Sequence, residues 1–141
     1  MARFIDDYTT YLLAQASRAA SAGFHDRLAQ KGIQVSTWRI LATLYPNNPA
    51  GVSDLASACL TKQSTMTRQI DRLAKQGLVM RKEVQGDRRR VLVELTPAGK
   101  TLANQLTASA RTHEADILST LTADETSALK RTLTKLTGGK T

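Results

Sequence analysis

The sequence predicts a mainly α fold with a small two-stranded β wing. Three observations carry that expectation. Apolar residues recur at helical spacing over most of the 141 residues; the period switches to two only between Gly77 and Thr96; and two short helical segments, separated by a break of two or three residues, stand directly before that switch.

Each element has its own signal. From Phe4 to about Lys31 the residues Ile5, Tyr8, Leu12, Leu13, Ala16, Ala19, Ala20 and Leu28 follow one helical face, and Gly32 is placed to end it. Ser36 is an expected N-cap for a second helix, TWRILATLY, which the turn from Pro46 to Pro49 closes. A short helix follows from Ser53 to about Ala58. Thr61 is then the expected cap of KQSTMTRQIDRLAKQ, whose Met66, Ile70 and Leu73 form an apolar stripe and whose Gly77 suits the residue after a helix.

Beyond Gly77, LVMRKEV and RRRVLVEL alternate around a turn at Gln85 to Asp87, with Val91, Val93 and Leu95 on one face. Thr96 and Pro97 read as N-cap and first turn of a long helix running to about Thr120. Thr122 and Glu125 form a capping-box pattern for a last helix carrying Leu129, Leu133 and Leu136.

An isolated hairpin is only marginally stable, so this one must pack beside the helix-turn-helix. The expected architecture is therefore a winged helix-turn-helix domain plus terminal dimerisation helices. Residues 1–34 form the N-terminal dimerisation helix, 35–96 the winged lobe and 97–141 the C-terminal dimerisation helices, all within one structural unit. The apolar stripes of the terminal helices exceed what so small a lobe can cover, which implies a second copy of the chain.

Charge narrows the partner. The formal net charge is +8 and the pI about 10.1. Between Leu60 and Lys100 ten basic residues (Lys62, Arg68, Arg72, Lys75, Arg81, Lys82, Arg88, Arg89, Arg90, Lys100) face four acidic ones (Asp71, Glu83, Asp87, Glu94), a net +6. A surplus concentrated on a helix-turn-helix and its wing points to nucleic acid. The single Cys59, the lack of a leader pattern and the absence of an apolar run near about 18 residues predict a soluble, intracellular, cytoplasmic protein with no membrane partner. Walker, dinucleotide, nucleophile-elbow and paired-His motifs are missing, so no enzyme, cofactor or metal site is expected.

The helix beginning near Lys62 offers Gln63, Ser64, Thr65 and Thr67 at its N-terminal end, with Arg68 a turn further on. Residues 63, 64, 67, 68 and 71 share a sector opposite Met66, Ile70 and Leu73, as a helix lying in the major groove requires. Arg72 and Lys75 fall nearer phosphate or solvent. At the hairpin tip the arginines can bind phosphate or enter the minor groove. Asp87 stands two residues before Arg89, where it can accept hydrogen bonds from that guanidinium and aim it. Strand alternation would then divide the work, with Arg89 as the main contact and Arg88 or Arg90 as secondary ones.

STWRIL, STMTRQIDRLAKQGLVMR and above all DRRRVLVELTPAGK resemble the MarR family of bacterial transcription regulators. The last matches the family's Asp-x-Arg-x5-Leu-Thr-x-x-Gly signature at Asp87, Arg89, Leu95, Thr96 and Gly99. The resemblance covers roughly residues 35 to 100 by motif, and it points to the same Asp87–Arg89 pair. It implies a homodimer that grips a pseudopalindromic double-stranded operator with two winged lobes. It further implies repression, relieved in many members by a small phenolic or aromatic acid and in others by cysteine oxidation.

Arg18, Ser21 and His25, at i, i+3 and i+7, line one face of the first helix. Arg18 and a protonated His25 can hold a carboxylate while Trp38 supplies an aromatic wall, with Arg39 a further candidate. The competing assignment makes Arg18 a surface cation, His25 an interface residue and Trp38 part of the core. Cys59 reads as a small buried residue. The alternative functions are a redox-responsive regulator acting through Cys59 and an effector-independent architectural DNA-binding protein. His113, without a second ligand at suitable spacing, reads as an interface or surface residue.

Overall fold

A computed structural model describes residues 1–139, with the backbone only at positions 88 and 89. A short 3-10 helix, Phe4–Asp7, precedes α1 (Thr9–Gln30), α2 (Val35–Leu44), α3 (Val52–Ala58), α4 (Gln63–Lys75), β1 (Val79–Val84), β2 (Asp87–Leu95), α5 (Pro97–Leu118) and α6 (Ala123–Leu136). The expected class is therefore met: helices with a two-stranded antiparallel sheet. None of the helices among the described residues is long and apolar enough to cross a membrane.

The described chain falls into two compact units, one of Met1–Ser21 with the chain from Ala110 onward, the other Ala22–Ser109. The second holds the core. Leu28, Ile40, Leu41, Leu44, Leu55, Met66, Ile70, Leu73, Val93 and Leu106 are its fully buried large side chains. Met66, Ile70 and Leu73 are the stripe that the spacing predicts on α4. Burying such side chains contributes roughly 1.5–3 kcal/mol each, so this lobe has a fixed interior against which α4 can be held.

In the first unit, His113 Nε2 on α5 donates to the Ala20 carbonyl of α1 over 2.9 Å. Thr122 caps α6 reciprocally with Glu125, the side chain accepting at 3.1 Å and the carboxylate receiving Thr122 N–H at 3.0 Å. None of its described side chains is fully buried. Phe4, Tyr8, Leu12, Leu13, Leu129, Leu133 and Leu136 all remain exposed.

Several boundaries differ from the sequence expectation for local reasons. The first helix is interrupted at Tyr8, which is extended at φ −79° and ψ 115°. Gln34, not Ser36, is the extended residue that starts α2. Thr61 does not cap α4, which starts one residue later than expected; its N–H closes the end of α3, donating to Ala56 O at 2.9 Å. Lys62 occupies the cap instead, without a side-chain bond. The long helix stops at Leu118, two residues early, where Leu121 N–H turns back to Leu118 O at 2.9 Å.

The wing pairs Val79 with Leu95, Arg81 with Val93 and Glu83 with Val91, and then the register shifts so that Val84 faces Asp87. Residues 88–90 thus lie in the irregular stretch between two ladder pairs. The expected division of work among the three arginines turns on the side chains at positions 88 and 89, which lie outside the described residues. Ala50 adds a bridge on the other edge of β2, exchanging hydrogen bonds of 3.0 and 2.8 Å with Val93. That bridge ties the wing to the turn after α2.

Candidate nucleic-acid interface

On α4, packing Met66, Ile70 and Leu73 inward leaves Lys62, Gln63, Ser64, Thr67 and Arg68 exposed, with Thr65 half-buried. The sector inferred from spacing is thus a solvent-facing surface of short hydroxyls, an amide and two cations. Thr67 Oγ1 donates to Gln63 O at 3.1 Å, which commits its proton to its own helix and leaves its methyl and lone pairs outward.

Arg72 has a different place. It is half-buried and its Nη2 donates to Thr37 Oγ1 of α2 over 3.1 Å, so it fastens α4 to α2. This is the same guanidinium that the sequence offers as a DNA contact, and one of its nitrogens is engaged by α2.

Asp71, on the exposed side of α4, forms an ion pair with Arg81 of β1. This link between helix and wing is not among the contacts expected from the sequence. Its signal was present: Arg81 shares strand parity with the buried Val79, so its side chain leaves β1 on the inner face.

At the wing, Asp87 and Arg90 are exposed. The Arg88 and Arg89 side chains lie outside the described residues, and so does the expected Asp87–Arg89 contact. The turn residue Gly86 adopts φ +90°, a conformation that side chains rarely take.

The junction from wing to α5 is closely fitted. Thr96 Oγ1 donates to Gly77 O at 2.6 Å and accepts from Gly99 N at 3.0 Å, while Thr96 N–H donates to Leu78 O at 3.1 Å. Gly99 is buried there, and a Cβ on it would collide with the Leu78 carbonyl. The end of α4, the start of β1 and the start of α5 are therefore pinned at one point.

The effector candidates are distributed over both units. In the first, Arg18 is exposed and Ser21 is half-buried, its Oγ donating to Ser17 O at 2.6 Å. In the second, His25 and Trp38 are half-buried and Arg39 is exposed. Trp38 packs edge-on to the buried Phe24, ring centroids 5.1 Å apart. Cys59 is buried with its Sγ 3.9 Å from Thr43 Oγ1. Burial pushes its thiol up, and the Thr43 contact and the Arg39 charge pull it only partly back. Among the described residues, no three His, Cys, Asp or Glu side chains are grouped to hold a metal.

A MarR family transcriptional regulator of known structure from Silicibacter pomeroyi is 40% identical to this chain, with a TM-score of 0.85 over 96% of this chain and 98% of its own. The model of the MarR family matches residues 33–91. The chain belongs to the MarR family. FarR, an HTH-type transcriptional regulator of Neisseria gonorrhoeae, is 34% identical over 94 residues, which cover 67% of this chain and 64% of FarR. That match spans less than two thirds of the relative's own length. NadR, solved in complex with 4-hydroxyphenylacetate, is 28% identical with a TM-score of 0.84 over 96% of each chain. In MarR terms, the Leu-Thr-x-x-Gly part of the signature is the junction just described, with Thr96 as its hydrogen-bonding hub and Gly99 as its point of closest approach.

Proposed function

We propose that this MarR-family chain is a homodimeric, sequence-specific DNA-binding transcription regulator, a repressor released from a pseudopalindromic operator by a small aromatic acid. The observation that carries the reading is the N-terminal half of α4. Its Lys62, Gln63, Ser64, Thr67 and Arg68 face solvent on a helix whose opposite face is anchored by three fully buried side chains. Gln and Arg can read adenine and guanine edges, and Thr methyls suit thymine. Arg89, aimed by Asp87, is the main wing contact, and Arg88 and Arg90 neutralise phosphate.

Dimerisation is supported by the apolar residues that the first unit leaves in water on the 3-10 helix, α1 and α6. Exposed apolar surface of this kind is covered in oligomers. The aromatic-acid effector is supported by the edge-on Phe24–Trp38 pair, an aromatic wall within the winged unit, and by the ligand of NadR. The raised thiol of buried Cys59 counts against the redox alternative, since the thiolate is the reactive form.

The test is selection of a duplex from a randomised double-stranded pool, followed by titration of the enriched complex with hydroxylated benzoic and phenylacetic acids and with peroxide. An inverted repeat, released by one of the acids, is expected. Binding indifferent to sequence would favour the architectural alternative and overturn the reading.

A further inference from the structure

Three helices of the winged unit end in the same turn. After α1, Gly32 and Ile33 donate to Ala29 O at 3.0 Å and Leu28 O at 2.9 Å. After α4, Gly77 and Leu78 donate to Ala74 O and Leu73 O, each at 3.0 Å. After α3, Leu60 and Thr61 donate to Ser57 O at 3.2 Å and Ala56 O at 2.9 Å. In this motif the first residue is left-handed and favours glycine, and the second is apolar and folds back onto the helix.

Gly32 and Gly77 obey the rule, at φ +71° and +75°, and are followed by Ile33 and Leu78, both half-buried. The turn after α3 inverts it. Leu60 takes the left-handed position at φ +58° and is 83% exposed, while the polar Thr61 stands where the apolar residue belongs. Among the described residues, every other positive φ belongs to a glycine. The chain thus places a leucine where its backbone is strained and its side chain gains nothing from the fold. Strain kept without a folding benefit marks a functional contact.

We propose that Leu60 is a specificity-determining contact to DNA, its isobutyl group meeting a thymine C5 methyl at the edge of the major groove. The inference rests on the DNA-binding reading above. Leu60 is two residues before Lys62, the residue that starts α4. Consecutive Cα atoms are about 3.8 Å apart, so its Cα lies within about 7.6 Å of that of Lys62, less than the width of a major groove of about 12 Å, and a groove that admits the start of α4 is within reach of Leu60. The surface around the start of α4 is polar and cationic, which suits a polyanion. The thymine methyl is the one apolar group that a base edge offers there.

The experiment uses the full chain and a duplex enriched from a randomised pool by the native protein. Leu60→Gly relieves the strain, so its Tm is expected to equal or exceed the native value. Its affinity for the duplex is expected to fall roughly fourfold or more, the worth of about one buried methyl group, with an unchanged slope of log K against log salt because no phosphate contact is lost. Leu60→Asn, which also tolerates the left-handed region, should show the same loss. Replacing thymines by uracil one at a time should reveal one position that weakens the native protein and leaves Leu60→Gly unaffected.

Native affinity in Leu60→Gly, a lowered Tm, a changed salt slope, or the absence of any such thymine would each overturn the proposal. If the native protein enriches no sequence at all, the DNA-binding reading fails and this inference fails with it. An enriched duplex that Leu60→Gly binds as tightly as the native protein sinks the inference alone.

Discussion

Gly99, at the start of α5, lies so close to Leu78, at the start of the wing, that a methyl group on Gly99 would collide with the Leu78 carbonyl oxygen and sit 3.0 Å from its carbon. The obstacle is backbone, which cannot swing aside as the end of a flexible side chain can. Gly99→Ala is therefore expected to destabilise the protein by about 1–3 kcal/mol, the usual cost of overpacking. A urea titration at fixed protein concentration should show a lower midpoint with an unchanged slope. A native midpoint would mean that α5 can shift away from the wing at no cost.

Thr96 holds the same junction by hydrogen bonds. Its hydroxyl donates to Gly77 O and accepts from Gly99 N. Thr96→Val keeps the shape and loses both, leaving a carbonyl and an amide without that partner. A cost of about 1–3 kcal/mol is expected, whereas Thr96→Ser, which keeps the hydroxyl, should cost under about 1 kcal/mol for the lost methyl. Equal losses in the two variants would show that the methyl, and not the hydroxyl, secures the junction.

The Asp71–Arg81 pair joins α4 to β1 with both side chains partly exposed. Solvent screens such a pair, so a double-mutant cycle with Asp71→Asn and Arg81→Gln should give a stability coupling below about 1 kcal/mol. Its larger effect is expected in binding. Asp71 is a negative charge on the exposed side of α4, and removing it should tighten binding to arbitrary duplex at low salt while reducing the ratio of enriched to arbitrary affinity. Band shifts against both duplexes at two salt concentrations provide the check; an unchanged ratio would mean that the pair positions nothing used in recognition.

Element types were legible because their signals are local. The stripe of Met66, Ile70 and Leu73, the Thr122–Glu125 box and the alternation of Val91, Val93 and Leu95 each depend on neighbours in the chain. What escaped depends on contacts made after folding. Arg72 looks like any cation on a basic helix until Thr37, 35 residues away, is found to accept from it. Thr61 looks like a cap, but the turn that ends α3 runs through it and leaves the cap position to Lys62. The arginine run looks like ordinary strand until the register shifts between Glu83 and Val84. The exposed sector of α4 needed only helical geometry, so it was readable; the Asp71–Arg81 link and the Thr96 junction required knowing what packs against what.

Cys59 should respond to pH in a definite direction. Burial raises its folded-state pKa above the ordinary thiol value. The folded protein then holds the thiol proton more tightly than the unfolded chain does. This contribution leaves stability intact below about pH 8.5, where an unfolded thiol titrates, and subtracts from it as pH rises further. Cys59→Ala should flatten that alkaline decline, measured as Tm between pH 7 and pH 10. Alkylation of native Cys59 by iodoacetamide should also be slower than that of the unfolded chain at pH 8, and an equal rate would contradict the burial argument.

Gln63 and Arg90 should separate reading from holding. Gln63 stands exposed in the first turn of α4, where an amide can pair with an adenine edge, whereas Arg90 stands exposed on the wing beside the register shift. Gln63→Ala is expected to cost about 1–3 kcal/mol on the enriched duplex and much less on a duplex changed at the base pair it reads. Arg90→Ala should weaken all duplexes alike and reduce the salt slope by about 0.9, the contribution of one neutralised phosphate. If Gln63→Ala weakened every duplex equally, α4 would be gripping the backbone and not the bases. If Arg90→Ala left the slope unchanged, the wing would be touching DNA through other residues or not at all.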